Sequence, residues 1–321
     1  EKNHTLYSII PNIGVYKLPR IPDTEELDSY MDRAEMAVSA LKENRQDGFA
    51  FFGNDIKDRL RFEAELENDM PSALEDRDFK VYVQPKYSAA EGKLAGGEAL
   101  IRWQHKTKGF LTPDKFVPLF EKNGTITKLD MYVYDCICSN QARLVSEGYT
   151  PVPISVNQSR LHLYRSGYME SLKASLDKYN LSADYVELEV TENIALSSGK
   201  VLKEAVEGWH RLGFKVSMDD FGSGESSLNL LKDIDIDVLK LDKMFFDEGY
   251  SSEKSKIIIK SIIDMAKQLN ISTVAEGVDN EEQLDFLKEA GCDLIQGYLF
   301  GKPMPYEDFE VLFKSSVEKE C

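Results

Sequence analysis

Residues 96–103 read Gly-Gly-Glu-Ala-Leu-Ile-Arg-Trp (GGEALIRW), an apolar run that contains one acid and one guanidinium. Alternate side chains of an extended strand share a face. One face then carries Ala99, Ile101 and Trp103, and the other carries Glu98, Leu100 and Arg102. If the apolar face is packed, the charged face must meet either solvent or a polar cavity.

Seven other segments have the same character, and longer amphipathic stretches separate most of them. The eight predicted strands are residues 79–87, 97–103, 152–159, 185–192, 214–221, 238–245, 272–279 and 294–301. Residues 252–270 show the clearest helical spacing of apolar side chains, and Asn280, with Gln283 three residues later, is a predicted helix N-cap whose helix ends at Gly291. This alternation predicts an α/β fold of the (β/α)8 barrel type.

Polar residues collect at the C-terminal ends of the predicted strands. They are Glu98, Asn157, Glu189, Asp219, Asp220, Lys240, Asp242, Glu276 and Gln296. Active sites of such barrels lie at this end. Strands that are ringed by helices have no face turned to water, so we expect these groups to share one pocket.

The chemistry of this set favours metal ions. Carboxylates that converge in one pocket repel one another unless cations neutralise them, and oxygen ligands favour Mg²⁺ or Mn²⁺ over zinc. The adjacent Asp219 and Asp220 suit two ions with a bridging carboxylate, an arrangement that activates water against a phosphoester. Lys240 could orient that water or offset phosphate charge, and the alternative for it is a buried structural salt bridge.

Other chemistries fit the sequence less well. Gly222 and Gly224 follow a predicted strand, but the third glycine of a dinucleotide fingerprint is replaced by Ser227, so we interpret this stretch as a loop over a metal site. A glycosidase would use two of the acids and leave Asn157 and Lys240 without a role. No Ser-His-Asp or Cys-His set is evident.

Charge and cysteine content limit the partners and the compartment. The 39 basic and 56 acidic residues give a net charge of −17, which argues against long nucleic acids and anionic lipid surfaces as partners. No apolar run is long enough to span a membrane, and the first residues do not resemble a signal peptide. Four scattered cysteines form neither a zinc motif nor a disulfide framework. We therefore expect a cytoplasmic location. This expectation is compatible with a longer parent protein that is attached to a membrane.

Eight segments together resemble a known family. They are VYVQPKY, GGEALIRW, SVNQS, ELEVTEN, SMDDFGSGESSL, LKLDK, TVAEGVD and GCDLIQGYLFGKP. In this order and spacing, residues 60–315 resemble an EAL domain, the bacterial phosphodiesterase that hydrolyses cyclic di-GMP. The resemblance implies a modified barrel with an antiparallel first strand, and metal-dependent opening of cyclic di-GMP to linear pGpG. The alternatives are a receptor that binds cyclic di-GMP without cutting it, and a hydrolase of another phosphodiester.

The resemblance also implies roles for single residues. The implied metal ligands at one site are Glu98, Asn157, Glu189 and Asp219. At a second site they are Asp219, Asp220 and Glu276. The implied catalytic residues are Glu98, Lys240 near the hydrolytic water and Glu276 as general base. The implied substrate contacts are Gln84, Leu100, Arg102, Asp242 and Gln296. Glu192 matches the glutamate that steadies the loop after the paired aspartates, which in this family couples dimerisation to activity.

Three positions depart from the family pattern without removing a metal ligand. Ser223 and Glu225 stand where the loop usually carries threonine and tyrosine, and Asp279 replaces a glutamate. The resemblance therefore predicts an intact metal site with altered turnover or altered loop regulation.

Residues 1–58 do not fit the barrel. They contain two strand-like runs around a predicted helix, and they resemble the C-terminal part of a GGDEF domain without its GGDEF sequence. We expect residues 1–58 to be such a remnant with its linker, and residues 59–321 to be the EAL barrel. A solvated helix over residues 55–69 is expected between them. A homodimer, and an upstream sensory or GGDEF region in a longer parent, are also expected.

Overall fold

A computed structural model describes residues 11–18, 27–43, 48–222, 227–246 and 252–318. The chain divides into two compact units, with the boundary between Ser72 and Ala73. Among the described residues, no helix combines the length and the apolar character needed to cross a lipid bilayer.

The first unit contains a two-stranded parallel sheet and two helices. Its elements are β1 (Asn12–Val15), α1 (Leu27–Glu43), β2 (Gly48–Phe51) and α2 (Asn54–Glu75), the last of which runs across the unit boundary. Gly14 lies against α1, where a Cβ atom would come within 1.8 Å of the Ala34 carbonyl oxygen. Residues 55–69 lie in α2, so the expected helix is confirmed, but Ile56 and Leu66 are buried, so the helix is not solvated throughout.

The second unit alternates strands with helices. In chain order they are β3 (Phe79–Ser88), β4 (Leu94–His105), β5 (Gly109–Leu111), α3 (Val117–Asn123), α4 (Ile126–Ser146), β6 (Ile154–Asn157), α5 (Tyr168–Tyr179), β7 (Val186–Thr191), α6 (Glu192–Arg211), β8 (Lys215–Phe221), α7 (Ser227–Asp233), β9 (Val238–Leu241), α8 (Glu253–Gln268), β10 (Ser272–Ala275), α9 (Glu281–Ala290), β11 (Leu294–Ile295), β12 (Met304–Pro305) and α10 (Tyr306–Glu318). All eight predicted strands are present in whole or in part.

Eight strands close into a barrel. The order around it is β3-β11-β10-β9-β8-β7-β6-β4, and β4 pairs again with β3. Strand β3 is antiparallel to both neighbours, whereas the other pairings are parallel. The expectation of a barrel with an antiparallel first strand is therefore confirmed. The short strands β5 and β12, which were not predicted, extend the sheet from β4 and β3.

The apolar face of GGEALIRW packs as its alternation predicts. Ala99 and Trp103 are buried, and the Trp103 ring stacks on Phe79 with ring centroids 4.6 Å apart. The side chains on the same face of the neighbouring strands, such as Val156 on β6 and Leu188 on β7, are also fully buried. Because this face of the barrel wall is apolar, the opposite face of each strand turns toward the barrel interior.

Local signals set the ends of several elements. The Asn280 carboxamide oxygen accepts a hydrogen bond from the Gln283 backbone amide at 2.9 Å, so the predicted N-cap is confirmed. At the other end, Gly291 ends α9 with φ 77°. The strand predicted over 238–245 ends at Leu241, because residues 243–246 form a 3₁₀ turn. The strands predicted over 272–279 and 294–301 likewise end early, at Ala275 and Ile295.

Candidate functional site

Lys240 lies at the centre of the charged residues inside the barrel. Its side chain, on β9, is fully buried. The ammonium nitrogen lies 2.6 Å from Glu189 Oε1, 2.6 Å from Glu276 Oε1, 3.1 Å from Asp219 Oδ1 and 3.4 Å from Glu98 Oε2. These carboxylates come from β7, the end of β10, β8 and β4. Closure of the barrel thus brings together five of the residues that the sequence places at strand ends.

A chain of carboxamides continues from Glu98. The Gln296 amide donates to Glu98 Oε2 at 2.6 Å and to Gln84 Oε1 at 3.2 Å, and Gln84 in turn donates to the Gly301 carbonyl oxygen at 3.2 Å. The two glutamines expected to contact substrate therefore adjoin the acid that is expected to bind metal.

Asn157, Asp220 and Asp242 lie at the margin of this cluster. Asn157 is exposed at the end of β6 and stands beside Glu189 in the strand register. Asp220 has φ 57°, a left-handed conformation that is uncommon for residues other than glycine. Burial, with the negative charges of Asp219 and Asp242, raises the pKa of Asp220 to about 6.

The crowded carboxylates and Lys240 shift one another's pKa values. Burial raises the pKa of Glu189 well above its usual range and that of Glu276 to about 7, and neighbouring negative charges add to this effect. Burial also opposes the charge on Lys240, but the surrounding carboxylates outweigh it and raise the Lys240 pKa. For Asp219, burial is again the largest influence, yet Lys240 and hydrogen bonds overcome it and lower the pKa. The pocket therefore holds more ionisable acids than the single positive charge of Lys240 can neutralise.

Arg102 and Leu100 continue the inward face of β4 beyond Glu98. Arg102 is half-buried, with its guanidinium 5.6 Å from the Tyr82 ring centroid and Nη1 donating to the Ile101 carbonyl oxygen at 2.8 Å. Burial lowers the Arg102 pKa. Leu100 is half-buried and stands opposite Tyr82 in the register of β3 and β4. The alternation in GGEALIRW thus predicts the face of each residue correctly.

Glu192 anchors the chain just after the paired aspartates. It is the first residue of α6, it is fully buried, and its Oε2 accepts from the Gly222 amide at 2.9 Å. Gly222 has φ 96°, and a Cβ atom there would lie 2.3 Å from the Phe245 ring. The expectations for Ser223, Gly224 and Glu225 concern positions outside the described residues.

The side chains around Lys240 have the donor chemistry of a site for a metal ion. Among the described residues, no group of three or more His, Cys, Asp or Glu side chains is arranged to hold an ion. The four carboxylates lie around the Lys240 ammonium. Their chemistry nevertheless fits a hard cation, since every donor is an oxygen. The Glu189 Oε2 atom is also buried without a hydrogen-bond partner in the described part of the chain, which is costly for a carboxylate. The donor chemistry of these residues, rather than their present arrangement, therefore fits a hard cation such as Mg²⁺ or Mn²⁺.

One buried charge pair inside the barrel was not predicted from the sequence. Lys86 on β3 lies 3.5 Å from Glu187 on β7, and both side chains are buried inside the barrel. The signal for it is present in the sequence, because Lys86 shares the face of Gln84 and Glu187 shares the face of Glu189.

Fold and site together define a class: a modified barrel with an acidic pocket, suited to oxygen-ligated cations, at the C-terminal ends of its parallel strands. The family model described as EAL domain matches residues 67–303. The chain belongs to the EAL domain family.

Two proteins of Pseudomonas aeruginosa are among the known proteins similar to this chain. Cyclic di-GMP phosphodiesterase NbdA is 33% identical over 304 residues, which cover 95% of this chain and 39% of NbdA. Bifunctional diguanylate cyclase/cyclic di-GMP phosphodiesterase MucR is 33% identical over 299 residues, 93% of this chain and 43% of MucR. The chain thus spans about two fifths of the length of these relatives. The solved PaMucR phosphodiesterase, in its c-di-GMP complex, matches with a TM-score of 0.72 and 36% identity, covering 76% of this chain and 99% of that one.

Proposed function

We propose that this chain is a metal-dependent phosphodiesterase that opens cyclic di-GMP to linear pGpG. The observation that carries the proposal is the convergence of four carboxylates on the buried Lys240 at the pocket. Family membership supports it, as do relatives that are named cyclic di-GMP phosphodiesterases.

The proposed roles divide between metal ligands and residues that act on water. Two ions, Mg²⁺ or Mn²⁺, would activate a water and stabilise the leaving oxygen. Their proposed ligands are Glu98, Asn157, Glu189 and Asp219 for one ion, and Asp219, Asp220 and Glu276 for the other. Glu276 is the proposed acceptor of the water proton, and Lys240 holds the carboxylates in place and orients the water.

The dinucleotide is proposed to lie over the β3–β4 side of the mouth. The half-buried Arg102 offers a cation to a phosphate, and the linked carboxamides of Gln84 and Gln296 offer donors and acceptors. Leu100 and Asp242 complete the proposed contacts. These local groups offset the repulsion that a net charge of −17 would otherwise impose on a phosphorylated ligand.

One assay tests the proposal. The protein is incubated with cyclic di-GMP and Mg²⁺ or Mn²⁺, with EDTA as control, and the products are resolved by chromatography. Linear product that depends on metal and is lost in Glu98→Gln supports the proposal. Glu91→Gln is the matched control, because Glu91 is exposed on the turn between β3 and β4. A protein that forms no product under any of these conditions is not this enzyme.

A receptor for cyclic di-GMP is the second candidate. It is favoured by the position of the Lys240 ammonium, which lies at the centre of the carboxylates and balances part of their negative charge. In the same assay, tight binding of cyclic di-GMP without hydrolysis supports the receptor. Absence of binding supports a hydrolase of a different phosphodiester.

The organisation of the longer chain is part of the proposal. We propose that residues 1–58 are the remnant of a GGDEF domain with its linker, that residues 59–321 form the EAL barrel, and that the protein is a cytoplasmic homodimer. An upstream sensory or GGDEF region would belong to a longer parent. Sedimentation equilibrium tests the dimer, and a monomer mass at micromolar protein would contradict it.

A further inference from the structure

A second ionic layer lies inside the barrel beneath the proposed metal ligands. The Lys86 ammonium donates to Ser155 Oγ at 3.0 Å and to Glu187 Oε1 at 3.5 Å. All three side chains are buried, with Lys86 only 3% exposed. The proposed chemistry uses none of them, although a buried charge pair is costly to maintain.

Gly96 on β4 lies beside the Lys86 side chain. Lys86 stands opposite Gly96 in the pairing of β3 with β4. A Cβ atom at Gly96 would lie 3.2 Å from the Pro153 carbonyl oxygen and 3.7 Å from Lys86 Cβ and Cδ. A side chain at Gly96 would therefore crowd the Pro153 carbonyl, which precedes β6, and would pack against the lysine stem.

The partners of Lys86 lie directly below two proposed metal ligands. Ser155 precedes Asn157 by one repeat of the strand alternation on β6, and Glu187 precedes Glu189 in the same way on β7. Ser155 also pairs with Glu187, and Asn157 pairs with Glu189, in the register of the two strands. A contact that fixes the lower pair therefore acts on the upper pair through two short stretches of backbone.

The contact of Lys86 with Ser155 and Glu187 differs from apolar core packing because its energy depends on the direction between the groups. A hydrogen-bonded ion pair accepts only a narrow range of separations and angles, whereas the burial of apolar surface is non-directional. A slip of one residue would turn every side chain of a strand to the other face. The ionic layer thus favours the one strand arrangement that points Asn157 and Glu189 into the pocket.

We propose that Lys86 is a positioning residue which, through Ser155 and Glu187, holds the ends of β6 and β7 so that Asn157 and Glu189 can bind a divalent cation together. The inference rests on the proposed function for the nature of that cation. The positioning of the two strand ends is a separate claim that can be measured without metal.

The test uses the double variant Lys86→Met/Glu187→Leu, which removes both charges, keeps the net charge and fills the space with apolar atoms. Electron paramagnetic resonance of free Mn²⁺ measures the Mn²⁺ affinity. Hydrogen exchange in EDTA measures the exchange rate of the Gln158 backbone amide, which donates to the Glu189 carbonyl oxygen. We expect Mn²⁺ affinity to fall about 10- to 100-fold and exchange of that amide to accelerate. Lys93→Met/Glu91→Leu is the matched control, since that ion pair is exposed.

The possible outcomes separate the two proposals. The single variant Lys86→Met leaves Glu187 buried without its cation and is expected to unfold more readily, so the double variant carries the test. A double variant that keeps Mn²⁺ affinity within about twofold and leaves Gln158 exchange unchanged overturns the inference. If the wild type binds no Mn²⁺, the proposed function fails, and Gln158 exchange still decides the positioning claim.

Discussion

The Lys240 ammonium holds four carboxylates inside the barrel, so its removal should destabilise the fold as well as the chemistry. Lys240→Met leaves buried negative charge unbalanced, and we expect the free energy of unfolding in EDTA to fall by about 3–5 kcal/mol. Urea unfolding followed by circular dichroism measures this change. Lys173→Met is the control, because Lys173 forms an exposed ion pair on α5 and its loss should matter little.

A Lys240 variant as stable as the control would contradict this account. It would mean that the carboxylates around Lys240 take up protons or move apart at little cost, as exposed acids do. The close ion pairs of Lys240 with Glu189 and Glu276 would then contribute little to the stability of the fold.

Single residues show what the sequence can and cannot predict. The alternation of GGEALIRW predicts that Glu98 faces away from Ala99 and Trp103, because a strand in a barrel wall has only two faces. The contacts of Lys240 could not be predicted in the same way. Its partners come from four strands that are distant along the chain, and their distances depend on how the barrel closes.

The junction between β8 and the following loop depends on a glycine. Gly222→Ala would force a side chain into a left-handed conformation and into contact with Phe245. We expect a loss of about 1–3 kcal/mol in the free energy of unfolding and reduced activity, since the Gly222 amide is held by Glu192. Urea unfolding and the cyclic di-GMP assay measure the two effects.

The matched control is Gly199→Ala in α6. A Cβ atom at Gly199 meets no heavy atom within 4 Å, so alanine should leave stability unchanged or raise it by up to about 1 kcal/mol. Equal effects at positions 199 and 222 would show that the contact with Phe245 does not govern this junction.

The last helix is tied to the barrel by charges that titrate. Glu310 on α10 accepts from both terminal nitrogens of Arg143 on α4 and lies 2.9 Å from the Lys314 ammonium. The hydrogen bonds from Arg143 are the largest cause that lowers the Glu310 pKa from its usual 4.5 to about 2. A carboxylate whose pKa is lower in the folded state stabilises the fold above pH 4.5. It loses that contribution as the pH falls toward 2.

Glu310→Gln should therefore lower the free energy of unfolding at pH 7 by up to about 1 kcal/mol, because the pair is partly solvated. The difference from wild type should shrink by pH 3. Urea unfolding at both pH values checks this, with Glu204→Gln on the exposed face of α6 as control. A difference that is the same at pH 7 and pH 3 would exclude the ionised pair as its cause.

Helices and strands were predictable where their hydrophobic periodicity extends over enough residues to be recognised. Residues 252–270 show helical spacing over several turns and contain α8. Strands β5 and β12 have only three and two residues, which is too short for alternation to show. The strand predicted over 238–245 is too long, because Met244 and Phe245 are apolar side chains that suit a strand and a 3₁₀ turn equally well.

At the level of the molecule, negative charge is distributed unevenly between two environments. The surface carries much of the net charge of −17, where water and salt screen it. The pocket holds acids that are shielded from water, so a bound cation is worth more there than at the surface. The same ion added to the solution should therefore act in two ways that can be separated.

We expect Mg²⁺ or Mn²⁺ to raise the melting temperature through the pocket. A ligand at 100 times its dissociation constant stabilises the folded state by about 2.7 kcal/mol. Differential scanning calorimetry in EDTA, and then with increasing metal, measures the rise, and NaCl of equal ionic strength reports general screening. In Glu98→Gln the metal-specific part should shrink, whereas Glu91→Gln should keep it. If NaCl produces the whole rise, or if Glu98→Gln responds as the wild type does, the acids around Lys240 are not a cation site.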